Sequence, residues 1–485
     1  MSLIEMVLVA VYAVVIVVLA LFGLHKYYLL YLYWKYRDRP RFQPGHFDPL
    51  PKVTVQLPIY NERYVIERLV RAVCALDYPK ELLEIQVLDD STDETREVAR
   101  KLTERYRRQG FDIHYLHRKH RRGFKAGALE AGLKRAKGEF VAIFDADFVP
   151  RPDFLRKVVP YFANEEVGMV QARWGHINQN YSLLTQLQSV FLDGHFIIEH
   201  TARNRSGRFF NFNGTAGMWR KRAIESAGGW QHDTLTEDLD LSYRAQLAGW
   251  KFVYLPDIVA PSELPVEINA YKSQQHRWAK GSVQTAKKLL PRILKSRLPL
   301  KVKWEACVHL ISNFTYLLMI IPSVFIFPVS VILFNLKLER FIAVYLALFF
   351  AASVSIFVFY FISQKELYAN WRQRLRYIPG IFALAIGMSI NNAKAVLEAL
   401  FNHHTEFKRT PKFRIESKRD GWRNKIYVPE RTWLPFVELL LGIYFSYSVF
   451  YAFAHGIYMS IPFFLLFQVG FLYIAIISLY QLHRG

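Results

Sequence analysis

Two cysteines, Cys74 and Cys307, are all that the 485 residues contain, and they fall in different regions of the chain. They offer neither a disulfide framework nor a zinc quartet, and nothing in their number points to an oxidising compartment. Acidic residues are also scarce, 41 against 63 lysines and arginines, for a formal net charge of +22. Several nucleotide-handling loops are missing. There is no Gly-x-x-x-x-Gly-Lys-Ser/Thr loop, and no Gly-x-Gly-x-x-Gly follows a strand-like run, which speaks against ATPases and dinucleotide enzymes. His-Glu-x-x-His and Gly-x-Ser-x-Gly elements are absent too.

What the chain has in excess is apolar sequence, 52% hydrophobic and 16% aromatic, concentrated at its two ends. Residues 6–32 are nearly uncharged apart from Lys26 and exceed the roughly 20 residues a bilayer crossing requires. The basic, aromatic stretch from Trp34 to Arg41 follows, which places the N-terminus outside and the next segment inside. The first five residues carry no basic region and the apolar run is too long for a removable leader, so residues 1–34 are predicted to be a retained transmembrane anchor. The C-terminal region, 300–485, holds four further predicted spans, at 306–334, 341–362, 435–453 and 457–479. A fifth run, 377–400, has basic clusters on both sides and carries Asn391, Asn392, Lys394 and Glu398, which are costly facing lipid. It is read as an interfacial or re-entrant helix, giving five spans, or six if it crosses. The positive charge is then assigned to cytosolic loops that set topology and meet anionic membrane lipid, with part of it left for an anionic substrate. No nucleic acid polymer is expected as a partner.

Residues 51–299 read as one cytosolic domain. Strand-like runs at 53–57, 85–88, 113–116, 140–144 and 168–172 alternate with helical stretches at 61–75, 93–107, 125–136 and 153–162. This alternation predicts an open α/β sheet with mostly parallel strands, whose ligands bind beyond the carboxyl ends of the strands. Those ends are rich in acids and turn formers: Tyr60, Asn61 and Glu62 after the first, Asp89, Asp90 and Asp93 around the second, Asp145 and Asp147 after the fourth. Asn61 and Asp93 read equally as helix caps, and one Asp-x-Asp is common in solvated turns. Two carboxylates crowded at the end of a buried strand, however, repel unless a cation lies between them. A hard divalent ion holding a diphosphate needs such a pair. Without the loops excluded above, nucleotide sugars become the leading substrate class.

Pro58-Ile59-Tyr60-Asn61-Glu62, Asp89-Asp90-Ser91, Lys125-Ala126-Gly127-Ala128, Asp145-Ala146-Asp147, Thr236-Glu237-Asp238 and Gln274-Gln275-His276-Arg277-Trp278 occur in that order. This succession resembles the processive membrane glycosyltransferases of family 2, whose catalytic fold is termed GT-A. The wording around Gln171-Ala172-Arg173-Trp174 and Asn213-Gly214-Thr215-Ala216-Gly217 is most similar to that of the plant cellulose-synthase-like glucomannan synthases. The resemblance covers the cytosolic domain well and the C-terminal spans only loosely. It implies an inverting hexosyltransferase that draws on GDP-mannose or UDP-glucose and extends the non-reducing end of a β-1,4-glycan, which a channel through the C-terminal helices could translocate. The second enzyme reading is a glycolipid synthase adding one hexose to a membrane lipid, like ceramide glucosyltransferases. A transporter or nucleic-acid-binding membrane protein leaves all six motifs unexplained.

Roles follow from the chemistry and the resemblance together. Asp147, with Asp145 beside it, is expected to hold Mg²⁺ or Mn²⁺ against the diphosphate; the resemblance also allows Asp145 to bind ribose. Asp238 opens a helical stretch whose terminal amides can position a carboxylate, and is the candidate base, with a plain helix cap as the alternative. Tyr60, Glu62, Asp89 and Asp90 are assigned to the base and ribose pocket, and Lys125 follows a basic loop able to neutralise phosphate. His114, His117 and His120 have a ligand-like spacing but sit among cations, so no zinc is expected. Gln274, Arg277 and Trp278 lie on a predicted helix over 266–290. Arg277 suits a diphosphate and Trp278 a stacked sugar; the resemblance gives Trp278 the acceptor terminus, and the alternative is a helix face lying on the bilayer. Finally, Phe407-Lys408-Arg409-Thr410-Pro411-Lys412 in the cytosolic segment 401–431 is similar to the gating-loop motif Phe-x-Val-Thr-x-Lys, which implies nucleotide contacts for Thr410 and Lys412. Arg409 stands where that motif has Val. A Golgi membrane location follows for a plant chain, a plasma membrane location for a bacterial one, and a compact prokaryotic enzyme is the expectation.

Overall fold

The computed structural model describes residues 2–403, 409–422, 425, 427 and 432–483. Strands β1 (Val53–Ile59), β2 (Leu83–Asp89), β3 (Asp112–His117), β4 (Phe140–Ile143), β5 (Val167–His176), β6 (Gly217–Arg220) and β7 (Lys251–Ser262) form one sheet among the described residues, in the order β3-β2-β1-β4-β6-β5-β7. β1 to β4 are parallel, as the alternation with helices demands. Strand β6 runs antiparallel to β4 and β5, while β5 and β7 are parallel. The chain moves outward from β1 in both directions, to β2 on one side and β4 on the other, which opens a crevice at the carboxyl ends between them. This is the GT-A arrangement expected from the motifs.

Period-two alternation divides the strand side chains between two apolar layers. Phe140 and Ala142 join Val53, Val55 and Leu57 in one layer, with Ile66, Leu69 and Val70 packed over them. Val141 and Ile143 turn to the other, against Leu129, Leu133 and Trp219. Polar positions on β1 and β2 are buried and largely paired: Thr54 Oγ1 donates to Glu84 Oε2 at 2.6 Å and Gln56 Nε2 to Gln86 Oε1 at 3.0 Å, while Gln56 Oε1 is left without a partner.

The helices are α1 (Leu3–Tyr36), α2 (Ile66–Cys74), α3 (Thr95–Arg108), α4 (Phe124–Leu133), α5 (Phe154–Val158), α6 (Leu183–Gly194), α7 (Thr201–Arg205), α8 (Lys221–Ser226) and α9 (Glu237–Leu247). They continue as α10 (Ile268–Lys295), α11 (Leu300–Ile311), α12 (Phe314–Asn335), α13 (Glu339–Leu367), α14 (Trp371–Arg374), α15 (Ile378–Gly387), α16 (Ser389–Leu400), α17 (Leu434–Ala454) and α18 (Ile461–His483). Two expected helix boundaries are corrected. Helix α2 begins at Ile66 because Asn61 adopts φ 54° and ties the two strand ends together, its Oδ1 accepting from Thr92 N at 2.8 Å. The helix expected over 153–162 stops at Val158 and continues as a 3₁₀ turn, since Pro160 removes a backbone donor.

Among the described residues, five helical segments are long and apolar enough to cross a bilayer: Leu3–Tyr36, Phe314–Asn335, Glu339–Leu367, Leu434–Ala454 and Tyr458–Leu482. The run expected to begin at 306 is broken after α11, and its span is α12 alone. The ambiguous region is a bent pair, Trp371–Gly387 and Ser389–Leu400, meeting at 45°, which makes six spans if it counts as one. Aromatic residues of the C-terminal helices are divided between the bundle interior and its outer surface. Phe445 is fully buried against Phe467 and Phe471, whereas Tyr447 and Phe450 are exposed on the helix surface.

Candidate active site

The strand ends place most of the predicted residues around one cavity. Tyr60 and Glu62 follow β1, Asp90 follows β2, Asp145 and Asp147 follow β4, Lys125 lies in the first turn of α4, Asp238 in the first turn of α9, and Gln274, Arg277 and Trp278 on α10; Thr410 and Lys412 close the wall. Asp89 is the exception. It is fully buried behind the cavity, its Oδ1 accepting from Ser91 N at 2.9 Å and its Oδ2 from Tyr115 Oη at 2.6 Å, so its part is to shape the strand end. His114 is tied to Asp112 at 2.7 Å and His117 Nδ1 lies 2.9 Å from Asp89 O; no group of three metal-ligating side chains occurs among the described residues.

Each crowded carboxylate already has a cation. Lys125 Nζ lies 2.5 Å from Asp145 Oδ1 and donates to Gly214 O at 3.0 Å. Lys412 Nζ sits 2.9 Å from Asp147 Oδ2 and also donates to Glu263 O. Burial lowers the affinity of Lys125 for its proton, but Asp145, Glu237 and Asp238 outweigh it and hold the ammonium above its ordinary value. Burial raises Asp145 in turn, against Lys125 and with Asp147 adding to the rise. Glu62 is pushed up to about 8 by burial, against Arg409, whose Nη1 is 3.0 Å from Glu62 Oε1.

The residues fit a divalent metal bound together with a diphosphate. Two hard oxygen donors at one strand end are too few for a protein-only cage, but they match an ion that takes one or two carboxylates and completes its shell with phosphate oxygens and water. Glu62 Oε2 and Thr410 Oγ1, on residues that line the cavity, are buried without a hydrogen-bond partner.

Asp238 lines the same cavity, close to Lys125. Its Oδ1 accepts from Leu239 N at 2.8 Å, the helix-terminus contact expected of a first-turn carboxylate. Burial, then the neighbouring Glu237, push its carboxyl up to about 7, with Lys125 opposing. Room beside it depends on Gly214, φ 81°, where a Cβ would come within 2.9 Å of Asp238 Oδ2.

Other wall residues escaped the sequence reading. Arg121 stacks 3.4 Å above the Tyr60 ring centroid. Glu263, at the end of β7, accepts from Phe413 N at 2.9 Å and pairs with Arg68, which reaches Glu416 at 2.9 Å. This cluster docks the segment containing Thr410 and Lys412. Residues Phe407 and Lys408 of the same motif lie outside the described residues. Trp174 and Asn213 line the cavity from motifs that carried no assigned role.

A family profile described as "Glycosyltransferase like family 2" matches residues 51–281. Probable glucomannan 4-beta-mannosyltransferase 3 of Arabidopsis thaliana is 36% identical over 424 residues, spanning 84% of this chain and 73% of the relative. The chain belongs to glycosyltransferase family 2. Glucomannan 4-beta-mannosyltransferase 2 of Arabidopsis thaliana is 43% identical to this family 2 glycosyltransferase over 305 residues, 60% of the chain and 57% of the relative. Glucomannan 4-beta-mannosyltransferase 1 of Oryza sativa is 44% identical over 57% of the chain and 54% of its own length. The glycosyltransferase thus spans little more than half the length of these two relatives. Among solved structures, a mannosyltransferase from Pyrobaculum calidifontis in complex with GDP-Man and Mn2+ superposes with a TM-score of 0.57 at 21% identity, covering 81% of this chain and 100% of that one; the fold is shared.

Proposed function

We propose that the protein transfers mannose from GDP-mannose to the non-reducing end of a β-1,4-linked glycan, with inversion at the anomeric carbon. The observation that carries this reading is that Asp238, a buried carboxyl raised to about 7, lines the same cavity as the Asp145 and Asp147 pair, beside the lysine that pairs with Asp145, in a chain whose relatives are named glucomannan 4-beta-mannosyltransferases. Asp238 takes the proton of the acceptor hydroxyl as its oxygen bonds to the anomeric carbon; the bond from that carbon to the phosphate oxygen breaks, and the nucleoside diphosphate leaves with the electron pair. One displacement from an α-linked donor gives a β-linked product. Asp147, with Asp145 beside it, would hold Mg²⁺ or Mn²⁺, which when bound offsets the charge of the departing diphosphate. Lys125 and Arg277 add positive charge on the same side, Tyr60, Glu62, Asp90 and Gln274 bound the nucleotide, Thr410 and Lys412 cover it, and Trp278 gives the terminal acceptor sugar an apolar face.

The basic flank after α1 supports a cytosolic position for this cavity, and Glu398 of α16, 3.0 Å from Lys280 Nζ and 3.1 Å from His276 Nε2, keeps the bent helix pair against the catalytic domain. Detergent-purified protein given Mn²⁺ is expected to convert GDP-mannose, and not UDP-glucose, into a product cleaved by a β-1,4-mannanase. A mannanase-resistant polymer made from UDP-glucose would change the donor, and a lipid-extractable single-sugar product would replace polymer synthesis with glycolipid synthesis.

The base should be visible in the pH profile. Transfer at saturating donor is expected to rise about tenfold per pH unit below about 7 and level above it, as the Glu237 and Asp238 pair loses a proton. Stability runs the other way. The folded carboxyl keeps its proton up to about 7 whereas an unperturbed one releases it near 3.8, so this contribution is full below 3.8 and lost as pH rises through 7. A rate profile flat from pH 5 to 8 would remove Asp238 as the base.

A further inference from the structure

Between the first membrane helix and the cavity wall lies a buried charged cluster that the proposed chemistry does not use. Helix α6 passes into α7 through one π-helical turn, His195–His200. Widening the turn brings positions five apart to one side, and the rings of His195 and His200 lie with centroids 4.3 Å apart. Both face Asn213. Asn213 Nδ2 lies 3.1 Å from His195 Nε2, and its Oδ1 lies 2.5 Å from His200 Nε2.

The donors and acceptors along this path are fixed by one carboxylate. Glu199 makes an ion pair with Lys26 of α1 and another with Arg203 at 3.2 Å; Arg203 and His25 of α1 are both 3.0 Å from Glu305 of α11. Held by two cations, Glu199 stays ionised, well below the ordinary carboxylate range despite its burial, and can only accept. His195 therefore donates to it from Nδ1, at 3.1 Å. The bare Nε2 then accepts from Asn213 Nδ2, which turns the amide oxygen towards the N–H of His200. His200 Nδ1 is left buried with no hydrogen-bond partner, which agrees with a neutral ring whose single proton is on Nε2.

Asn213 is the residue before Gly214, whose carbonyl holds Lys125 and whose α-carbon faces Asp238. We infer that His195 and His200, oriented by Glu199 and Lys26, clamp Asn213 and so position the Asn213-Gly214 segment against Asp238 and Lys125, making the first membrane helix part of the catalytic support. They are positioning residues, since they act through Asn213. The effect on turnover rests on the glycosyl-transfer reading above; the clamp itself does not.

The test uses the full chain in detergent with His195→Ala, His195→Gln and Lys26→Met. Glutamine keeps an oxygen that can accept from Asn213 Nδ2, and alanine does not. His195→Ala and Lys26→Met are expected to lower kcat about tenfold or more with the donor KM within about twofold, and His195→Gln to recover most of the loss. Hydrogen exchange across residues 211–216 should accelerate in the alanine and methionine variants and stay near wild type in the glutamine variant. Equal kcat losses in alanine and glutamine, a KM change as large as the kcat change, or unchanged exchange in His195→Ala would each overturn the clamp. Exchange needs no turnover: an inactive wild type would remove the proposed activity, and the exchange comparison would still decide the clamp.

Discussion

Asp238→Asn is expected to lower kcat by three to four orders of magnitude while leaving the donor KM within about threefold. General-base contributions are typically 10² to 10⁴, and the upper part of that range applies because little else on the wall can take its place. Lys125 is occupied by Asp145 at 2.5 Å. Asparagine keeps the shape and the acceptor oxygen for Leu239 N, so the fold should survive. Initial rates at saturating GDP-mannose, with nucleotide affinity measured by calorimetry, separate the two effects. A loss smaller than tenfold, or one appearing only in KM, would move the base elsewhere.

Asp147→Asn should lower transfer by two to three orders of magnitude, and raising Mn²⁺ should not restore it. Its consequence extends past the metal. Asp147 also holds Lys412 at 2.9 Å, so the substitution releases one of the contacts that seat the segment over the cavity. Asp145→Asn divides the two roles left open for that residue. If Asp145 joins the metal, the Mn²⁺ concentration for half-maximal rate rises; if it binds ribose, the donor KM rises and the metal requirement does not. Rates across a Mn²⁺ series for both variants read this directly, and an Asp147→Asn enzyme with wild-type metal response would exclude Asp147 as a ligand.

Much of the site was legible because the chemistry sits at the ends of buried strands. Phe140 to Phe144 announces itself by unbroken apolar sequence and Val53 to Leu57 by alternating valines and leucine, and acids placed directly after such runs have little else to do. Strands β6 and β7 gave weaker signals: β6 has four residues, and β7 carries Pro256 and Pro261, tolerated because β7 is an edge strand. Glu263 and Arg68 went unread because their partners are remote, Arg68 and Glu416 standing 348 positions apart. Asp89 shows the reverse error. Sequence placed it in the cavity with Asp90, but adjacent strand residues point to opposite faces, and only one of two neighbours can reach the crevice. The histidine clamp was invisible for a subtler reason: its geometry depends on a π-turn, and nothing in the periodicity of residues 183–205 marks where one extra residue is accommodated.

Helix α10 contains 28 residues, roughly 42 Å at 1.5 Å per residue. Near its start Lys272 is buried between Glu438 of α17 at 2.7 Å and Ser478 of α18 at 2.9 Å; farther along, Lys287 caps the carbonyls of Ala399 and Leu400 at 3.0 Å. Gln274, Arg277 and Trp278 lie between these two fastenings. The helix that carries Trp278, the proposed acceptor residue, is therefore a beam riveted at both ends to the C-terminal helices, and its rotational setting is dictated by that bundle. A change of membrane thickness or lateral pressure that tilts the C-terminal bundle would turn Trp278 with it, so the enzyme's working geometry belongs as much to the bilayer as to the soluble fold.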